Sequence, residues 1–224
     1  MILAIFRVLG IGLFMYLLWR KLREDYLDDE VVSLSWVTIL AFLVGGRLAF
    51  GLENWGVWND NLSRWILFWQ NPGFNYLVGY LSMLGGVWWF LRVKKWKTMT
   101  VLEDMVTPIL FLFTFFWIDE YIRSGFDFEV AKVAPFLVLT MILGWWMRRK
   151  YRSFEWYKSG KKGFLFWFVN ASGFGLMIAW SFWAGIDWLW RILAMFLSLI
   201  SVVGLFILGE VLTDFKILRR KTNE

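Results

Sequence analysis

Seven apolar stretches, at about residues 2–19, 31–50, 74–91, 105–118, 130–147, 163–184 and 187–209, take up most of this 224-residue chain. An α-helix rises 1.5 Å per residue, so runs of this length approach the roughly 30 Å of hydrocarbon in a bilayer. Water cannot be the main solvent of such a chain, and the pattern predicts an all-α, polytopic integral membrane bundle of about seven transmembrane helices. Composition agrees: 59% of residues are hydrophobic and many of the 18 Trp lie near the ends of the apolar runs, where an indole buries its ring and keeps its N–H among the headgroups. Between the second and third runs, residues 57–73 read VWNDNLSRWILFWQNPG. This segment is too polar to span and apolar enough to lie flat, and is expected to form an interfacial arm. Nothing resembling a linker divides the chain, so a single transmembrane domain over 1–224 is expected.

Sorting the charges by loop orients the set. Arg20, Lys21 and Arg23 follow the first run; Arg92, Lys94, Lys95 and Lys97 follow the third; Arg148, Arg149, Lys150, Arg152, Lys158, Lys161 and Lys162 follow the fifth. With Lys216, Arg219, Arg220 and Lys221 in the tail, 18 of the 24 basic residues fall on one side. Cytoplasmic loops carry the excess of Lys and Arg, so the expected topology is N-out and C-in. No basic region precedes the first run and no small-residue cleavage site follows it, which predicts a retained span rather than a signal peptide.

The net charge of +6 lies between apolar segments, which points to anionic lipid headgroups rather than nucleic acid. The chain has no Cys and no His, which excludes disulfides, thiol nucleophiles, imidazole bases and His metal ligands. No metal site or cofactor is expected.

Residues 31–50, VVSLSWVTILAFLVGGRLAF, close on Gly45, Gly46, Arg47 and Leu48, and here the chain resembles the prolipoprotein diacylglyceryl transferase family. The segment GYLSMLGG at 79–86 is similar to that family's Gly-Gly-Leu-Ser-Phe-His-Gly-Gly through Gly79, Leu81, Ser82, Gly85 and Gly86. A basic loop and an Asp-x-x-x-Pro helix start follow, with Asp104 and Pro108. The resemblance implies a fold of seven spans in a bacterial cytoplasmic (inner) membrane. It implies transfer of a diacylglyceryl group from phosphatidylglycerol to a prolipoprotein, with phospholipid and a prolipoprotein signal peptide as partners. The departures fall on the chemistry. The motif histidine corresponds to Leu84, two motif arginines correspond to Ile118 and Leu176, and only Pro135 remains of the His-Pro segment. The resemblance therefore implies a divergent or inactive member that still binds phospholipid, with no catalytic residues. A non-catalytic scaffold that binds lipoproteins is the alternative, and a small-molecule transporter the more distant one.

Candidate lipid-binding residues are Arg47, Ser82, Gly85, Gly86 and Asn170. Arg47 is an intramembrane charge, costly to leave unpaired, and it sits on the resembling motif; it is expected to face the bundle interior. Ser82, Gly85 and Gly86 form a patch of small residues, the kind that lets helices approach closely. Asn170, Ser172, Gly173 and Gly175 form a second patch, and a cavity between the two patches is where a lipid is expected. Arg7 is expected to snorkel to the headgroups. Asp119, Glu120, Arg123, Asp127 and Glu129 are expected in a solvated outer loop, and Glu210 and Asp214 to pair with the basic loops.

Overall fold

A computed structural model of the chain describes residues 5–58, 73–127, 130, 133–153, 157, 161–184 and 188–208. They form α1 (Ile5–Leu22), α2 (Asp28–Glu53), the short α3 (Trp55–Trp58), α4 (Tyr76–Val93), α5 (Thr98–Arg123), α6 (Ala134–Lys150), α7 (Phe164–Ala184) and α8 (Trp188–Leu208). A 3₁₀ turn at Tyr151–Ser153 extends α6. The protein is thus all-α over these residues, and α2, α4, α5, α7 (over Phe164–Phe182) and α8 are each long and apolar enough to cross a membrane. Of the other two long helices, α1 carries Arg7, Arg20 and Lys21, and α6 has 17 residues ending in Arg148, Arg149 and Lys150. Most of the expected interfacial arm, Asp214 and Glu210 lie outside the described residues.

Helix boundaries depart from the apolar runs where charge is satisfied within the protein. The run at 105–118 extends in both directions to give α5, 26 residues long, and its last two turns contain Asp119, Glu120 and Arg123, residues expected in an outer loop. Apolar content predicts only the part of a helix that meets lipid. A polar end remains helical when the other charges around it supply partners. The run at 130–147 is displaced instead: α6 starts at Ala134 with Pro135 in its first turn, where the missing N–H costs nothing, and continues to Lys150.

The chain divides into two compact units, Met15–Thr98 and Met1–Phe14 with Met99–Glu224. In the first, the end of α1, the start of α2 and the end of α4 meet. Trp19 Nε1 donates to Asp28 Oδ1 at 2.7 Å, Lys94 Nζ pairs with Glu30 at 2.8 Å, and Tyr26 stacks on Trp96 at 3.7 Å. Asp28, Asp29 and Glu30 occupy the first turn of α2, where the helix dipole favours negative charge. Along α2 the exposed Val32, Trp36, Leu40, Val44, Leu48 and Leu52 recur every four residues, giving a continuous apolar stripe. Val31, Leu34, Ser35, Thr38, Ile39 and Phe42 turn inward. An outer face more apolar than the inner one fits hydrocarbon as solvent.

In the second unit, α6 packs on α7 and α7 on α8. Gly10 of α1 lies against Phe115 of α5, so closely that a Cβ would sit 2.6 Å from the Phe115 Cβ. Polar side chains within the helices bond back to carbonyls one turn away: Thr140 to Phe136, Asn170 to Phe166, Ser172 to Phe168 and Ser201 to Leu197. Those bonds satisfy hydroxyl and amide groups where no water can.

Candidate functional site

The Gly-Gly-Arg-Leu helix α2 and the helix α4 that contains GYLSMLGG pack on one another in the unit Met15–Thr98. Gly45 of α2 faces Ser82 of α4 so closely that any side chain at 45 would overlap it, and a Cβ on Gly86 would stand 2.9 Å from Ala41. Small residues thus bring α2 and α4 backbone to backbone. At the end of this pair Asn75 fixes the entry to α4 three ways. Its amide donates to the Gly46 carbonyl at 3.0 Å, its side-chain oxygen accepts from Val78 N at 3.0 Å, and its Nδ2 donates to Glu53 Oε1 at 2.6 Å.

Arg47 reaches into this junction, only 3% exposed. Its Nη1 donates to the carbonyl of Gly73 at 2.8 Å, and Gly73 has φ +147° with the Phe50 ring where a side chain would be, so only glycine suits that position. A guanidinium offers five N–H donors in a fixed fork. Turned inward, it suits an oxyanion or carbonyl better than it suits lipid tails. Ser82 and Gly86 belong to the same helix pair, whereas Gly85 sits on the exposed side of α4 with open space around it. Asn170 belongs to the other unit, buried and bonded to its own helix.

A second charged centre lies in the unit Met1–Phe14 with Met99–Glu224, and it corrects two expectations. Arg7 does not snorkel and Asp119 is not solvated: Arg7 Nε lies 2.5 Å and Arg123 Nε 2.7 Å from Oδ2 of Asp119, whose side chain has no exposed surface. Arg7 Nη2 also reaches Glu120 Oε2 at 3.2 Å, and its guanidinium stands 5.4 Å from the Phe116 ring centre. Neither Nε points its N–H along the line to Oδ2, and Oδ1 has no hydrogen-bond donor among the described residues. Attraction between opposite charges therefore holds the group, not aligned hydrogen bonds. Two cations against two carboxylates make a neutral cluster, suited to locking α1 to the end of α5 rather than to binding an ion.

The other end of α5 borders a cavity of about 280 Å³ lined by Glu103, Asp104, Arg148, Tyr151, Arg152, Lys162 and Leu165. The Glu103 carboxylate accepts from the Tyr151 hydroxyl at 2.8 Å and, through its second oxygen, from the backbone N–H of Gly163. Arg152 Nε donates to the same hydroxyl at 3.1 Å. Burial pushes the Tyr151 phenol above its ordinary value, despite the opposing Arg152 contact, so it stays a donor to Glu103. No three Asp, Glu, His or Cys side chains converge on a possible metal site among the described residues.

Composition alone did not single out this cavity or the ion cluster. A spacing in the sequence does mark basic helix ends within each unit. Trp19 and Arg23, Trp88 and Arg92, Trp145 and Arg149, and Trp146 and Lys150 are each four residues apart, and each cation lies 4.0–5.6 Å from its indole. Aromatic belts paired with cations mark the headgroup level. Comparison with family models, curated proteins and solved structures finds no match for this chain.

Proposed function

We propose that this protein is a seven-span protein of a bacterial inner membrane, N-out and C-in, with the architecture of the prolipoprotein diacylglyceryl transferases but without their transfer chemistry. It binds an anionic phospholipid, phosphatidylglycerol by the resemblance, around Arg47. The observation that carries this reading is the burial of Arg47 where the Gly-Gly-Arg-Leu helix packs on the GYLSMLGG helix. An inward guanidinium between two helices of a membrane protein is a functional site by default.

Orientation is supported by the helix ends. Within Met15–Thr98, the basic ends of α1 and α4 meet the start of α2. In the other unit, Tyr151 and Gly163 meet Glu103 near the start of α5, so the cations of 148–152 and 161–162 gather at one end. The positive-inside rule makes these ends cytoplasmic. Transfer would require a base for the thiol and a clamp for the departing phosphate. Leu84, Ile118 and Leu176 occupy the corresponding positions, and Arg123 is committed to Asp119.

Expression in cells depleted of their own transferase tests the reading. No lipidated prolipoprotein above an empty-vector control is expected, even with Leu84→His, because the clamp is still missing. Phosphatidylglycerol should be enriched over bulk lipid in gently purified wild type and reduced in Arg47→Leu. Lipidation by the wild type would overturn the loss of chemistry, and equal lipid content in the Arg47 variant would overturn the site.

A further inference from the structure

The cavity beside Glu103 is ringed by three cations that, among the described residues, form no ion pair with a carboxylate. Arg148 donates to the Thr107 hydroxyl at 3.3 Å, Arg152 to the Tyr151 phenol, and Lys162 makes no hydrogen bond among the described residues. None of the three forms an ion pair there. Glu103, one of the two carboxylates in the lining, accepts through both oxygens from Tyr151 and Gly163. Gly163 has φ +116° and is wedged between Met99 and Leu208, whose side chains stand 3.1 and 3.3 Å from where a Cβ would be. The backbone next to Lys162 is therefore fixed. Neutral hydrogen-bond partners and a rigid backbone hold the cations around the space, and the two carboxylates of the lining offset their charge only in part. That is preorganisation for an anion.

Charge and depth narrow the ligand. Three cations and the carboxylates of Glu103 and Asp104 leave the lining at a net +1, which matches a group carrying one negative charge. On the same helix end, Trp145 and Trp146 are exposed and hold Arg149 and Lys150 over their rings at 4.0 and 5.6 Å, placing the cavity at the level of lipid phosphates. We infer that this cavity is a phosphodiester-binding site, filled from the headgroup of an inner-leaflet lipid or by a soluble phosphodiester. It is separate from the Arg47 site and does not depend on that reading.

Native mass spectrometry of the full chain in mild detergent, titrated with phosphatidylglycerol, tests the inference. A parallel thermal-unfolding series uses glycerophosphoglycerol, the same headgroup without acyl chains. Arg148→Gln with Arg152→Gln should weaken binding on the order of 10-fold, since each basic residue near a membrane surface contributes about 1 kcal/mol toward an anion. Arg149→Gln with Lys150→Gln removes the same charge from the same helix end without touching the cavity, and should bind nearly as wild type. Lys162→Gln alone, which breaks no hydrogen bond or ion pair among the described residues, should weaken binding severalfold. Protection by the lipid alone identifies a headgroup site, and protection by both ligands a site open to soluble phosphodiesters. Equal losses in the two double variants would reduce the effect to diffuse charge and overturn the site, as would wild-type binding in Lys162→Gln and the lining variant together. Both readouts leave Arg47 intact, so failure here is distinct from failure there.

Discussion

Two arginines that the sequence places in apolar runs are buried by different means. Arg47, in the unit Met15–Thr98, lies against the backbone carbonyl of Gly73 at a junction of glycines. Arg7, in the other unit, lies against the carboxylate of Asp119, which Arg123 shares. A charge met by an opposite charge in low dielectric is locked, because removing either partner strands the other. Arg47 instead reaches a backbone carbonyl, a partner without formal charge. The first arrangement makes a joint, and the second is where the lipid site is proposed.

The largest expected effect breaks the joint. Asp119→Asn leaves Arg7 and Arg123 side by side with only Glu120 to balance them, and should lower stability by about 3–5 kcal/mol. Thermal or denaturant unfolding in detergent measures it. Replacing the whole group by Arg7→Met, Asp119→Leu and Arg123→Met should recover most of that loss, because no buried charge is then stranded. A triple variant as unstable as the single one would mean that the charges themselves, not their balance, hold α1 to α5.

Arg47→Leu should cost less, about 1–3 kcal/mol for the unmet Gly73 carbonyl, and should also lower co-purified anionic lipid. If stability falls and lipid does not, Arg47 is a joint like Arg7 and the contrast fails. Gly45→Ala sharpens the same comparison by forcing α2 away from Ser82. It should destabilise by about 1–3 kcal/mol through overpacking, while Gly85→Ala, with open space around it, should change unfolding by well under that. The smallest effect is expected at Lys95, which ends α4 in the left-handed region at φ 57°. There Trp96 N donates to the Leu91 carbonyl at 2.9 Å, the pattern of a glycine-type helix stop. Lys95→Gly should raise stability by up to about 1 kcal/mol.

Apolar run length and the spacing of cations were enough to read the all-α, multi-pass character, because burial in lipid is a property of each segment alone. The inward Arg47 was legible as an intramembrane charge, whereas the packing of α2 on α4 that surrounds it was not. Asp119 was not, since a carboxylate in a loop and one in a buried cluster look the same along the chain. The four-residue spacing of Trp and Arg was legible and marks the belt, but the cavity beside Glu103 was not. Its walls come from residues 103–104, 148–152 and 162–165, three stretches far apart in the sequence. The sequence by itself determined the solvent of this protein, its helices and which ends of them are basic, all of which depend on local composition. Which charges neutralise one another, and which remain poised around a cavity, only the tertiary structure decided. Coulomb attraction depends on distance in space, and residue 7 is 112 positions away from the Asp119 that holds it.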